Sequence, residues 1–246
     1  MTDDILSDQP RGVKLAELYD TPTATSIMNV FRLCQADAEL GLVTGEPGVG
    51  KTSAARRYAA GRSGVFLITM SPARAPLVPA LAHIGEIVRA YSSGTGARAW
   101  SDAIRKSLYN EPDPLLLIDE AQHLSDDSVE EIRAIYDEVF VGIVFLGNRD
   151  LRDRWLSKRW AQLSSRFLHR VELDAPLAAD VDTICAAVGI EAKRPRELLY
   201  RASRQPGGLR IVHKVLNVAG KLAGPGQAIK GEHVEAALRS RRELTP

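Results

Sequence analysis

Gly45-Glu46-Pro47-Gly48-Val49-Gly50-Lys51-Thr52 follows the pattern G-x-x-x-x-G-K-[ST], a spacing suited to holding phosphate oxygens. The glycines let successive backbone N–H groups converge on one anion, and the start of a following helix adds positive potential. Lys51 then reaches the β and γ oxygens of a nucleotide such as ATP, and the Thr52 hydroxyl is placed to ligate Mg²⁺. A second cluster is Leu115-Leu116-Leu117-Ile118-Asp119-Glu120. Four apolar residues are too few for a helix and end on two carboxylates. A buried strand of this kind puts Asp119 near the metal at the carboxyl edge of a sheet, where open α/β folds bind ligands. Glu120 is then placed to orient and deprotonate an attacking water. A helix-capping Asp-Glu pair would not account for the apolar run before it.

The elements that must position these residues are legible as alternating periods. Apolar spacing predicts a helix over 26–39, with Thr23 or Thr25 as its cap, and a short strand over 40–44 entering the glycine-rich turn. Helix formers follow at 53–60. Further strands are expected at 65–70, 115–118, 141–146 and 170–173, and helices at 77–91, 100–109 and 129–139, with a flexible loop at 92–96. Strands alternating with helices imply a doubly wound parallel sheet. After Pro176 only helical periods remain, at 181–188, 195–203, 209–222 and 233–240, so a small all-helical domain is expected there. The division expected is an arm over 1–20, a nucleotide-binding core over 21–175 and a helical lid over 176–246.

The 246 residues are 45% apolar and 26% charged, which excludes a disordered or fibrous chain. No apolar run approaches the ~20 residues that span a bilayer, and the acidic start, Met1-Thr2-Asp3-Asp4, is unlike a secretory signal. A cytoplasmic protein without membrane partners is expected. Cys34 and Cys185 have no metal-ligand spacing and read as ordinary buried thiols. From residue 192 onward 12 Lys/Arg face 4 Asp/Glu, an excess that fits either a polyanion partner or solvated helix faces.

Taken together, the phosphate loop and the carboxylate strand resemble those of the AAA+ ATPases, and the resemblance runs from about Asp20 to Arg242. It implies a P-loop core with a helical lid. It further implies that Asn148, ending Phe145-Leu146-Gly147-Asn148, is the residue that helps position the lytic water. By the same resemblance Arg166, in Ser164-Ser165-Arg166-Phe167, is an arginine finger reaching a neighbouring subunit, and Arg210, in Gly207-Gly208-Leu209-Arg210, contacts the γ-phosphate in cis. Arg159 and Arg170 are alternatives to Arg166. Within the superfamily, Ile118-Asp119-Glu120-Ala121-Gln122-His123-Leu124 with Thr21-Pro22-Thr23 is similar to the phage Mu B type of transposition protein and its transposon-encoded relatives. That similarity implies an ATP-bound homo-oligomer, ring or helical filament, that coats double-stranded target DNA without sequence preference and recruits or stimulates a transposase. Phage Mu B carries an added N-terminal helix-turn-helix domain that the residues before Thr21 are too few to hold, so DNA binding is expected from ring and lid. The same wording also occurs in secretion- and replication-associated AAA+ proteins. A motor or loader in another process, or a nucleotide-gated scaffold with slow hydrolysis, is the alternative function.

Other candidates are less specific. His123 reads as a second base or as a polar residue reporting nucleotide state. Trp155 and Trp160, interleaved with Arg152, Arg154, Lys158 and Arg159, read as base-stacking groups or as packing at a subunit seam. Arg89, Arg98, Arg105 and Lys106, around the loop at 92–96, read as phosphate contacts or solvated surface. Arg239, Arg241 and Arg242 read as a solvated tail.

Overall fold

A computed structural model describes residues 19–243. The arm expected over 1–20 lies, apart from Tyr19 and Asp20, outside the described residues, as do the side chains of Arg241 and Arg242. In chain order the elements are α1 (Pro22–Asp37), β1 (Leu40–Gly45), α2 (Lys51–Ala59), β2 (Val65–Thr69), α3 (Leu77–Ile87), α4 (Ala97–Tyr109), β3 (Leu115–Asp119), α5 (Asp126–Glu138), β4 (Gly142–Gly147), α6 (Arg149–Trp155), α7 (Ala161–Arg166) and β5 (Phe167–Leu173). Four helices follow: α8 (Ala178–Ala187), α9 (Lys193–Ser203), α10 (Leu209–Ala223) and α11 (Gly231–Glu243). Among the described residues no helix is long and apolar enough to cross a membrane.

The described residues divide into two compact units, one of residues 24–46 and 50–174, the other of residues 19–23, 47–49 and 175–243. The first holds a five-stranded parallel sheet in the order β2-β3-β4-β1-β5. Strands covered on both faces need apolar residues at every position, and β1, β3 and β4 are buried throughout. Alternation along β3 then sorts its side chains. Leu115 and Leu117 pack with Ile27, Phe31 and Cys34 of α1 and Ala54 and Tyr58 of α2. Leu116 and Ile118 pack with Ile84 of α3, Ile104 and Leu108 of α4 and Ile132 and Ile135 of α5. The doubly wound parallel sheet expected from the sequence is thus present.

Several local expectations change. α1 starts at Pro22, so neither Thr23 nor Thr25 is its cap. α3 stops at Ile87, because Arg89 adopts a left-handed backbone with φ 58° that cannot continue a helix. The last strand is longer than expected and begins at Phe167. Trp155 and Trp160 are 1% and 4% exposed, so neither base stacking nor a subunit seam describes them. Trp155 stacks on Phe167 with centroids 5.2 Å apart and meets Phe145 edge-on at 4.6 Å, closing the core beneath α6 and α7. Burial also accounts for the thiols: Cys34 is pushed up to about 12 and Cys185 to about 11, in each case mainly by removal from water.

The second unit packs Val181, Ile184 and Cys185 of α8, Leu199 of α9, Val212, Val215 and Leu216 of α10 and Val234 of α11 into its own core. Asp180, fully buried, anchors it. One carboxylate oxygen accepts from Thr23 N–H at 2.9 Å, and the other from the Thr23 hydroxyl at 2.6 Å and from Leu177 N–H at 2.8 Å. Removing the carboxylate leaves three donors unpaired, so Asp180→Ala is expected to lower stability by about 3 kcal/mol. Chemical denaturation checks this, with Asp180→Asn losing less because one carbonyl acceptor remains.

Candidate nucleotide site

β1 delivers the chain to the loop at Gly45, and α2 leaves it at Lys51. Between them Gly50 sits at φ 108° as the residue before the helix, a left-handed conformation that glycine adopts without penalty. The space a Cβ would take there is open within 4 Å, so it is the left-handed backbone, and not crowding, that calls for glycine. The Lys51 ammonium lies over the loop, donating to the carbonyls of Gly45 at 2.7 Å and Glu46 at 3.2 Å. Residues Pro47–Val49 group with the C-terminal unit, in which Leu209 N–H at the start of α10 donates to the Gly48 carbonyl at 2.9 Å.

β3 ends on Asp119, which is 2% exposed. Its Oδ1 accepts from Glu120 N–H at 3.0 Å, the Thr52 side chain lies near enough to the same carboxyl group to favour its charged form, and Oδ2 is buried without a hydrogen-bond partner among the described residues. Burial pushes the Asp119 carboxyl above the usual carboxylate range, opposed by the bonds from Thr52 and Glu120. The fold therefore brings Thr52 and Asp119, 67 positions apart in sequence, into contact, with an oxygen left over that costs free energy unless a cation or donor reaches it. Glu120 follows in a left-handed conformation, φ 55° and ψ 37°, a strained backbone for a residue with a side chain.

The remaining expected residues fall in distinct settings. Asn148 is the residue before α6; its Oδ1 accepts from Leu151 N–H at 3.2 Å and its Nδ2 donates to Asp150 at 2.8 Å. Its amide is thus engaged in capping. Glu46 pairs with Arg149 at 2.9 Å, and Arg149 also pairs with Asp174 at 2.8 Å, a link between the loop and the end of β4 that no motif spacing discloses. Arg166, at the end of α7, pairs with Asp137 of α5. Arg159 pairs with Asp126, while Arg170 bonds the carbonyls of Ser164 and Phe167. Arg210 is an exposed residue in the first turn of α10. His123 lies half-buried in the single turn at Ala121–His123 that follows Glu120. In the 89–106 segment Arg105 is held by Glu131 at 3.2 Å and Glu138 at 2.8 Å, leaving Arg89, Arg98 and Lys106 as its exposed cations. Gln122 is the site residue sequence reasoning did not single out; its amide Nε2 donates to Glu120.

A family model described as an AAA domain matches residues 35–155, and one described as the C-terminal part of the Mu B transposition protein matches residues 165–240. The chain is 29% identical over 239 residues to the ATP-dependent target DNA activator B of Escherichia phage Mu, covering 95% of this chain and 74% of that protein. It is 29% identical over 210 residues to the Mu-like prophage FluMu DNA transposition protein B of Haemophilus influenzae, covering 81% and 71%. Among solved structures, the Aeropyrum pernix ORC2 protein superposes with a TM-score of 0.69 at 16% identity over 96% of this chain and 73% of that one. The ORC1 protein of the same organism, in complex with DNA, gives 0.65 at 18% over 93% and 67%. These two share the fold. A glycine loop feeding a helix, a buried carboxylate strand and matches that together run through sheet and C-terminal helices lead to one reading: the chain carries an AAA-type ATPase domain over residues 35–155, and it resembles the Mu B transposition proteins.

Proposed function

We propose that this ATPase binds double-stranded DNA in its ATP-bound state, oligomerises on it as a ring or helical filament, and recruits or stimulates a transposase, acting in the cytoplasm. The observation that carries this reading is the alignment with target DNA activators over nearly the whole chain, through both units and not the ATPase core alone. Residues 21–175 form the nucleotide-binding core in this reading, and 176–246 the lid.

The chemistry follows from the site. The loop N–H groups and Lys51 bind and orient the phosphates. Thr52 and Asp119 offer oxygens of the hard kind that Mg²⁺ takes, and the unpartnered Asp119 Oδ2 fits that ion. Bound there, Mg²⁺ would neutralise phosphate charge. Glu120 accepts a proton from water as the water oxygen bonds to the γ-phosphorus, and the bond from that phosphorus to the β–γ bridging oxygen breaks, its electron pair leaving with ADP. Asn148 orients that water once its amide releases Asp150, and Arg210 contacts the γ-phosphate from its own subunit.

DNA binding by exposed cations is sequence-tolerant and releases counterions, so the logarithm of affinity falls linearly with the logarithm of salt concentration, by about 0.9 per phosphate neutralised. Fluorescence anisotropy on unrelated duplexes is expected to show binding only with ATP. Charge reversal at Arg89, Arg98 and Lys106 together should reduce the salt slope. Binding that is indifferent to nucleotide, or to salt, contradicts the proposal.

A further inference from the structure

The turn after the carboxylate strand holds a contact that the motif spacing does not disclose. Gln122 lies in the single helical turn Ala121–His123, and its Nε2 donates to Oε2 of Glu120. The orientation of that amide is fixed by chemistry, since a flipped amide would set its oxygen against the carboxylate. The amide oxygen, Oε1, is buried and has no hydrogen-bond partner among the described residues. It faces the end of β4: a Cβ built on Gly147 would lie 2.7 Å from it and 2.6 Å from Leu151 Cδ2. Glycine at 147 therefore makes the space that the Gln122 amide fills, and the amide is wedged between Glu120 and the strand end. Glu120 itself is held in a left-handed backbone conformation, so backbone and side chain both restrict where its carboxylate goes. Among the described residues its other oxygen accepts no hydrogen bond.

An acceptor left buried and unpaired is a cost that a structure carries when the group does something else. We propose that Gln122 is a positioning residue for hydrolysis: its amide occupies Oε2 of Glu120 and so presents Oε1 as the single oxygen that takes the proton from water. The inference rests on Glu120 being the base. A positioning residue acts on the chemical step and leaves ground-state binding alone, because neither Gln122 atom belongs to the phosphate loop. A base displaced by about 1 Å loses on the order of 100-fold in rate.

The test is steady-state turnover together with equilibrium ATP affinity, with circular dichroism melting as a check of folding. Gln122→Ala is expected to lower kcat by about 10- to 100-fold at unchanged ATP affinity. Gln122→Glu, which keeps the shape and replaces the donor by a second carboxylate, should do at least the same. In a Glu120→Gln background the further change Gln122→Ala should alter the residual rate less than about twofold, since residues acting through one group are not additive. Unchanged or increased kcat in both single variants, with Glu120→Gln inactive, overturns the role of Gln122. Full additivity of the double variant overturns it as well, by showing a structural effect. Wild-type turnover in Glu120→Gln instead overturns the assignment of the base.

Discussion

Glu120→Gln is expected to keep ATP bound and to stop its turnover, while Lys51→Ala loses the nucleotide itself. The two residues sit at different ends of the chemistry. Lys51 is the cation of the loop, held over it by the carbonyls of Gly45 and Glu46, and a charge-assisted bond to a phosphate contributes about 1.5–3 kcal/mol. Its removal should weaken ATP binding by on the order of 100-fold. Among the described residues the Glu120 side chain hydrogen-bonds Gln122 and no atom of the phosphate loop. Gln in its place preserves volume and removes the proton acceptor, an exchange that costs a general base about 10²–10⁴ in rate. Titration with a fluorescent ATP analogue and phosphate release on the same preparations check both. Equal ATP affinity in wild type and Lys51→Ala would contradict the phosphate-loop role.

If Arg166 is the finger that the resemblance implies, Arg166→Ala is expected to bind ATP and hydrolyse it on the order of 10³-fold more slowly, the cost of losing a cation that stabilises charge on the transferring phosphoryl. In the folded chain its guanidinium pairs with Asp137, at side-chain exposures of 41% and 35%. An exposed pair of that kind contributes at most about 1 kcal/mol. That is small beside a phosphate, so the pair does not hold Arg166 back from a neighbouring subunit. Mixing separates the two roles. In a mixed oligomer an Arg166→Ala subunit keeps its own Glu120 and receives the intact arginine of a Glu120→Gln neighbour. Two inactive preparations should therefore recover turnover when combined. No recovery in verified mixed oligomers leaves Arg166 as the partner of Asp137 alone and turns attention to Arg159, whose side chain is 70% exposed.

What the sequence discloses is what local spacing determines. The loop 45–52 lies within one strand-turn-helix passage, and Leu115–Ile118 is buried on both faces, so its apolar run has no polar positions to confuse the period. Interleaved aromatic and basic residues, as at Trp155 and Trp160, suggest an exposed face, but local spacing does not show which face of a short helix is covered. Packing against Phe145 and Phe167, from two strands, makes Trp155 core, and Trp160, 4% exposed, is buried in the same cluster with Arg154 and Arg159 over its ring. Gln122 is illegible in the sequence for the same reason. Its function depends on Gly147, 25 positions away in sequence, and on the pairing of β3 with β4 that brings the two strand ends together. The Asp180–Thr23 anchor spans 157 positions, and no period or motif encodes it.

The central claim, that ATP turns this chain into a DNA-bound oligomer, is tested most directly by electron microscopy of the purified protein with duplex DNA, using Glu120→Gln to hold the ATP state. Rings or filaments on the DNA with ATP, absent with ADP and absent in Lys51→Ala, are the expected result. Dispersed particles with ATP and DNA, or the same assemblies in Lys51→Ala, would contradict it.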